Sequence, residues 1–93
     1  RFQVLQAAWM KDNGKSTQVE SGLAKLYNAR EAFEVCDMAI QILGGLGYTE
    51  ESPVGRVWLD ARMNRIGGGT DEIIIKSVGK ELAKAEAKRL NRR

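Results

Sequence analysis

A chain of 93 residues with net charge +3, no histidine, one cysteine and one proline describes a single small domain, and a domain this short buries only about 60 to 70 per cent of the surface its unfolded form exposes. Without histidine there is no Ser/His/Asp triad and no His-based zinc site, and a lone cysteine makes no internal disulfide, which points to a reducing compartment, the cytoplasm or an organelle matrix. No apolar run approaches the roughly 20 residues of a membrane span, and the first dozen residues do not form a signal sequence.

Phe2, Leu5, Ala8 and Trp9 recur at three and four residue spacing, one apolar face of a helix that stops at Asn13-Gly14. The chain opens with this pattern already running and without an initiator Met, so it is expected to be the C-terminal part of something longer. Gly14-Lys15-Ser16 imitates the close of a phosphate-binding P-loop, but that motif needs a glycine where Trp9 stands and a strand before it. Thr17-Gln18-Val19-Glu20 has the capping-box pattern and starts a second helix. Val19, Leu23, Leu26, Phe33, Cys36, Ile40 and Leu43 keep helical spacing for about seven turns, and Arg30 interrupts the stripe. Cys36 lies one turn from Phe33 and from Ile40 and reads as core packing.

The long helix runs into Gln41-Ile42-Leu43-Gly44-Gly45-Leu46-Gly47-Tyr48. Adjacent glycines there permit the left-handed conformation that ends a helix and let another molecule approach the backbone. Gln41, one turn back, offers an amide that donates and accepts hydrogen bonds. Ser52 as N-cap and Pro53 at the first helical position open a short third helix, with Val54, Val57, Trp58 and Ala61 inward and Arg56, Asp60, Arg62 and Arg65 outward. Trp58 reads as a packing anchor. Gly67-Gly68-Gly69 then breaks the chain, and Thr70, followed by Asp71 and Glu72, caps a fourth helix with Ile73, Ile74, Val78, Leu82 and Ala85 facing a core. A glycine loop at a helix N-terminus suits a phosphate, yet Asp71 and Glu72 oppose an anion, so an ordinary cap reads equally well. From Lys84 to Arg93 five cations stand against Glu86 alone, a solvated, fraying basic tail. The fold class is all-α, an antiparallel up-and-down bundle of about four helices.

Taken together, Ala39 to Tyr48, Ser52-Pro53-Val54, Asp60-Ala61-Arg62 and Ile66 through Gly69-Thr70-Asp71-Glu72-Ile73 resemble the C-terminal helical domain of acyl-CoA dehydrogenases, over nearly the whole chain. The resemblance implies a fragment, residues 1–93, of an FAD enzyme that removes the α and β hydrogens of an acyl-CoA thioester. A carboxylate takes the α proton and the flavin takes hydride. It implies homo-oligomers, dimers or tetramers, and electron-transfer flavoprotein as acceptor, with neither nucleic acid nor membrane as partner. Gln41, Ile42, Leu43, Gly44 and Gly45 would contact the ADP part of an FAD held mainly by a neighbouring subunit. Thr70, Asp71 and Glu72 would form the second FAD-contacting segment, and Gly69 would lie beside the thioester.

Many family members carry a glutamate, the α-proton base, two residues before the threonine that here is Thr70; this chain has Gly68 instead. Isovaleryl-CoA and long-chain members also lack it and place the base on an earlier helix. The Ile66 to Thr70 stretch is closest to the isovaleryl form, so no catalytic residue is expected in this chain and the fragment alone is expected to be inactive. Two other readings stand beside this one. A non-catalytic helical oligomerisation module would use the apolar stripes alone, and a base-lacking flavoenzyme relative would perform different chemistry.

Overall fold

The computed structural model describes residues 1–92, and every regular element among them is helical: α1 (Phe2–Asp12), α2 (Gln18–Leu43), α3 (Gly45–Tyr48), α4 (Val54–Met63) and α5 (Asp71–Asn91). The all-α class is as expected, with one helix more than the four anticipated. That addition, α3, is a single turn too short to show any apolar period. The chain divides into two compact units, Arg1–Leu26 with Asp71–Arg93, and Tyr27–Thr70.

In the first unit, α1 ends where Asn13 takes over the Trp9 carbonyl, donating to it from its backbone N–H at 3.1 Å and from its side-chain Nδ2 at 2.8 Å. Lys15 places its ammonium 4.8 Å from the centre of the Trp9 ring. The start of α2 falls immediately after Thr17, whose carbonyl accepts the Ser21 N–H at 2.7 Å. Close approach joins α2 to α5: a Cβ placed on Gly22 would lie 2.7 Å from a methyl of Val78 and 3.6 Å from one of Ile74. Val78 and Ala24 are buried accordingly.

In the second unit, α4 runs antiparallel to the C-terminal half of α2. Arg65, two residues beyond its C-terminal end, places its guanidinium 5.9 Å from the Phe33 ring centre. Trp58, further up α4, meets Phe33 at 5.5 Å between centroids and donates its indole N–H to Asp37 at 3.0 Å. An aromatic pair of this kind contributes roughly 0.5 to 1.5 kcal/mol beyond its buried area, so Trp58 is the anchor expected of it. Proline placement shifts by one residue: Pro53 is the N-cap, α4 begins at Val54, and Ser52 Oγ accepts the Val54 N–H at 3.3 Å. The serine still satisfies a first-turn amide, only one residue earlier in the helix frame.

Burial follows the expected stripes in part: Ala61 and Val78 are buried, and Val19, Leu26, Phe33, Ile40, Val54, Trp58 and Ile74 are half-buried. The most enclosed apolar side chains are Ala24, Ala29, Ala61 and Val78, whereas Leu23, Leu43, Val57, Ile73 and Leu82 are exposed and Cys36 is half-buried. Ala85 also lies at the surface. Helices that approach closely select small residues for the contact, and the larger side chains next to it remain outside. The basic end of the chain also departs from expectation, being helical to Asn91 rather than frayed from Lys84. Alanine, lysine, arginine and leucine are strong helix formers, and Arg89 forks onto Glu86 at 2.6 and 2.9 Å one turn back. Arg93 lies outside the described residues.

Candidate functional site

At the end of α2 the helix closes through Gly44, whose N–H donates to the carbonyls of Ile40 at 3.0 Å and Gln41 at 3.3 Å. Gly44 has φ +62 and ψ −137. This is the mirror image of extended backbone, open to glycine and strained for residues with a Cβ, and it differs from the left-handed helical cap expected. It turns the chain at once into α3. That turn ends where Thr49 donates its hydroxyl to the Leu46 carbonyl at 2.8 Å. α3 is held down by Gly47, which is buried against α2: a Cβ there would lie 2.9 Å from the Ile40 carbonyl oxygen and 3.0 Å from its Cα.

With Gly47 packed inward, the residues before it face solvent. Gln41, Ile42, Leu43, Gly44 and Gly45 are all exposed, Ile42 at 83%. A Cβ on Gly45 would meet no atom within 4 Å. The patch combines one carboxamide, a protruding apolar side chain and backbone that nothing in this chain covers. It carries no ionisable group, so its chemistry is recognition by hydrogen bonds and surface contact.

The second expected segment follows α4. Backbone N–H groups of Ile66 and Gly67 donate to the Met63 carbonyl at 2.9 and 2.8 Å, and that of Gly69 donates to Ile66 at 3.2 Å. Gly68 has φ +74 and Gly69 φ +124. The turn delivers Thr70, half-buried, to the start of α5, where Asp71 is only 4% exposed and Glu72 faces solvent. A carboxylate in a first helical turn meets the positive end of the helix dipole, which offsets part of the cost of burying it. The expected site residues are thus divided between the units: Gln41 to Gly45, Gly69 and Thr70 in one, Asp71 and Glu72 in the other.

Sequence reasoning passed over a groove within the Tyr27–Thr70 unit. It is an open groove of about 1000 Å³ whose lining includes the apolar Ile40, Trp58 and Leu59 and the acidic Asp37, Glu50 and Glu51, with Arg56. Glu50 and Glu51 lie on the connection between α3 and α4, and both are exposed.

Residues 1–83 match the family described as acyl-CoA dehydrogenase, C-terminal domain. Among curated proteins, the chain is 55% identical over 84 residues to the probable acyl-CoA dehydrogenase YdiO of Escherichia coli K12, covering 90% of this chain and 22% of that protein. Among solved structures it resembles butyryl-CoA dehydrogenase from Megasphaera elsdenii, with a TM-score of 0.84 and 38% identity over 89% of this chain and 22% of that one. It also resembles a chain from the structure of the electron transferring flavoprotein of Acidaminococcus fermentans, with a TM-score of 0.83 and 33% identity over 88% of this chain and 22% of that one. The chain therefore spans about a fifth of the length of these relatives. Among its described residues no helix is long and apolar enough to cross a membrane. On the match over residues 1–83 and the helical fold shared with these relatives, the chain belongs to the family of acyl-CoA dehydrogenase C-terminal domains.

Proposed function

We propose that this chain is the C-terminal helical domain of an FAD-dependent acyl-CoA dehydrogenase in which the end of α2 contacts the ADP part of an FAD held mainly by a neighbouring subunit. The observation that carries the reading is the uncovered helix end, with Gln41 and Ile42 exposed and open space around Gly45. These residues fit the group. A carboxamide donates to and accepts from the hydroxyls and ring nitrogens of a nucleotide, Ile42 supplies an apolar face, and no side chain at Gly45 holds the ligand away from the backbone. When bound, the flavin supplies the hydride acceptor of α,β-dehydrogenation.

Thr70 and Glu72 make the second contact in this reading, and Gly69 lies beside the acyl-CoA thioester. Asp71 belongs to the same segment, and its burial leaves the exposed part of the contact to its neighbours. The α-proton base lies outside these residues, as in the isovaleryl and long-chain subtypes, because position 68 has no side chain. Its backbone at φ +74 would also hold a glutamate under strain, at a cost of about 1 to 3 kcal/mol. Electron-transfer flavoprotein is the acceptor proposed for the full-length protein, which works as a dimer or tetramer of its own subunits in the cytoplasm or an organelle matrix.

A second reading, a non-catalytic association module, draws on the exposed apolar side chains of α1, among them Phe2 at 80% and Trp9 at 56%, since contiguous apolar surface marks association sites. Purified full-length protein separates the two. The dehydrogenase reading predicts a yellow flavin spectrum bleached by acyl-CoA, and Gln41→Ala should release flavin on dialysis while helicity is kept, alanine being a strong helix former. A colourless protein that gains no flavin on reconstitution favours the association module.

A further inference from the structure

Residues 27–70 carry six carboxylates against four arginines, in a chain whose net charge is +3. Three of the six, Asp37, Glu50 and Glu51, line the open groove of the Tyr27–Thr70 unit, where Arg56 is the one cation in the lining. From Asp37 the carboxylates continue back along α2 through Glu34 and Glu31, both exposed, at a three-residue spacing that makes successive members neighbours on the helix surface. Asp37 accepts the indole N–H of Trp58 at 3.0 Å, so one acid is held in place beside the tryptophan. Negative charge is concentrated here against the sign of the whole molecule.

Ile40, Tyr48, Pro53, Trp58 and Leu59 supply the apolar part of the lining. Tyr48 is 90% exposed and Leu59 62%. At about 1000 Å³ the groove stands at the upper limit of small-molecule pockets, about 300 to 1000 Å³, which enclose most of their ligand. An open groove of that size, with a tyrosine and a tryptophan to serve as anchors, is better matched to a stretch of polypeptide. None of the residues assigned to flavin contact lines it, so its carboxylates and its exposed aromatic ring have no part in that reading.

We propose that this groove is the docking site for a basic, amphipathic segment of a partner protein. An apolar side chain of the partner would pack on Trp58 and Leu59, and its lysines or arginines would meet Asp37, Glu50 and Glu51. Charges arranged in this way select the partner and set how strongly binding responds to salt. The contact is separate from the flavin-facing residues and stands or falls independently of them.

Trp58 fluorescence tests the proposal in the 93-residue chain carrying Trp9→Phe, which leaves one indole. The probes are two synthetic peptides of equal length, one built of leucine and lysine and the other with glutamate at every lysine position. The basic peptide should bind with a dissociation constant below about 1 mM. Its affinity should fall about tenfold between about 0.1 M salt, where charges act over about 10 Å, and about 1 M, where they act over about 3 Å. Glu50→Lys with Glu51→Lys should weaken that binding about tenfold and make the acidic peptide the better ligand. Both positions are exposed, and unchanged circular dichroism would show that the fold is kept. Full-length protein should bind the basic peptide as the 93-residue chain does. A basic peptide that does not bind would overturn the proposal, as would an acidic peptide that binds the parent equally well or a charge reversal that leaves both affinities unchanged. Failure of the full-length protein to bind would assign the groove to another segment of its own chain. Loss of self-association in sedimentation on the same charge reversal, without peptide, would assign it to a second copy, and either result would also overturn the proposal.

Discussion

Two glycines two positions apart at the end of α2 have opposite surroundings. A Cβ at Gly47 would press on the backbone of Ile40, and a Cβ at Gly45 would meet nothing within 4 Å. Gly47 is a packing residue, and its missing side chain lets α3 lie against α2. Gly45 has no such reason inside this chain. Under the proposed function, Gly45 beside the exposed Gln41 leaves its backbone open to another molecule, whereas Gly47 serves the packing of this chain.

Substitutions at these positions sharpen that contrast. Gly47→Val is expected to be the most damaging, because the new side chain must displace backbone rather than the tip of a flexible side chain. Overpacking of this kind costs about 1 to 3 kcal/mol and occasionally more, with about 4 to 8 °C of melting temperature lost per kcal/mol in a domain of this size. Thermal melts of the chain that left Gly47→Val within about 1 °C of the parent would remove Gly47 from its packing role. Gly44→Ala comes next, at about 1 to 3 kcal/mol, because φ +62 with ψ −137 strains any residue bearing a Cβ. Here the loss comes from backbone strain, so larger side chains at position 44 should cost little more than alanine, whereas at position 47 the cost should climb with volume.

The Glu86–Arg89 pair marks the small end of the scale. Its hydrogen bond from Arg89 holds the Glu86 carboxyl below its ordinary 4.5. A depressed carboxylate pKa stabilises the folded state above the ordinary value, and the contribution disappears as pH falls through the folded one. The pair is fully solvated, so Glu86→Gln should change helical content only marginally at neutral pH. A shallow loss of helicity just below the ordinary glutamate range should be present in the parent and absent in this variant when followed by circular dichroism.

Helix starts and stops were the legible part of this sequence. Thr17, Ser52-Pro53 and the Gly67–Gly69 run impose backbone preferences locally, and the helices begin or end within a residue or two of them. Which face is buried was legible only in part: Ala61 and Val78 are buried as read, but Phe2, Leu5 and Trp9 are exposed. The stripe from Val19 to Leu43 advertises large side chains, yet Ala24 and Ala29 are the more deeply buried, because the approach distance of two helices depends on both partners. For the same reason the jobs of Gly45 and Gly47 looked alike, and α3 was invisible. The groove was missed because its acids and its tryptophan meet only after α4 folds back on α2. As for the site, periodicity located the end of α2, but the residues from Gln41 to Gly45 acquired a cofactor role only through the family resemblance.

The most direct measurement is therefore flavin retention by full-length Gly45→Val after extensive dialysis, compared with the unsubstituted protein. The Cβ of a residue at this position meets no neighbour within 4 Å, and valine is a better helix former than the glycine it replaces, so folding should be nearly unaffected. The account predicts an intact helical protein that loses most of its FAD. Full flavin occupancy and unchanged turnover with acyl-CoA would contradict it, and the open end of α2 would then be ordinary surface.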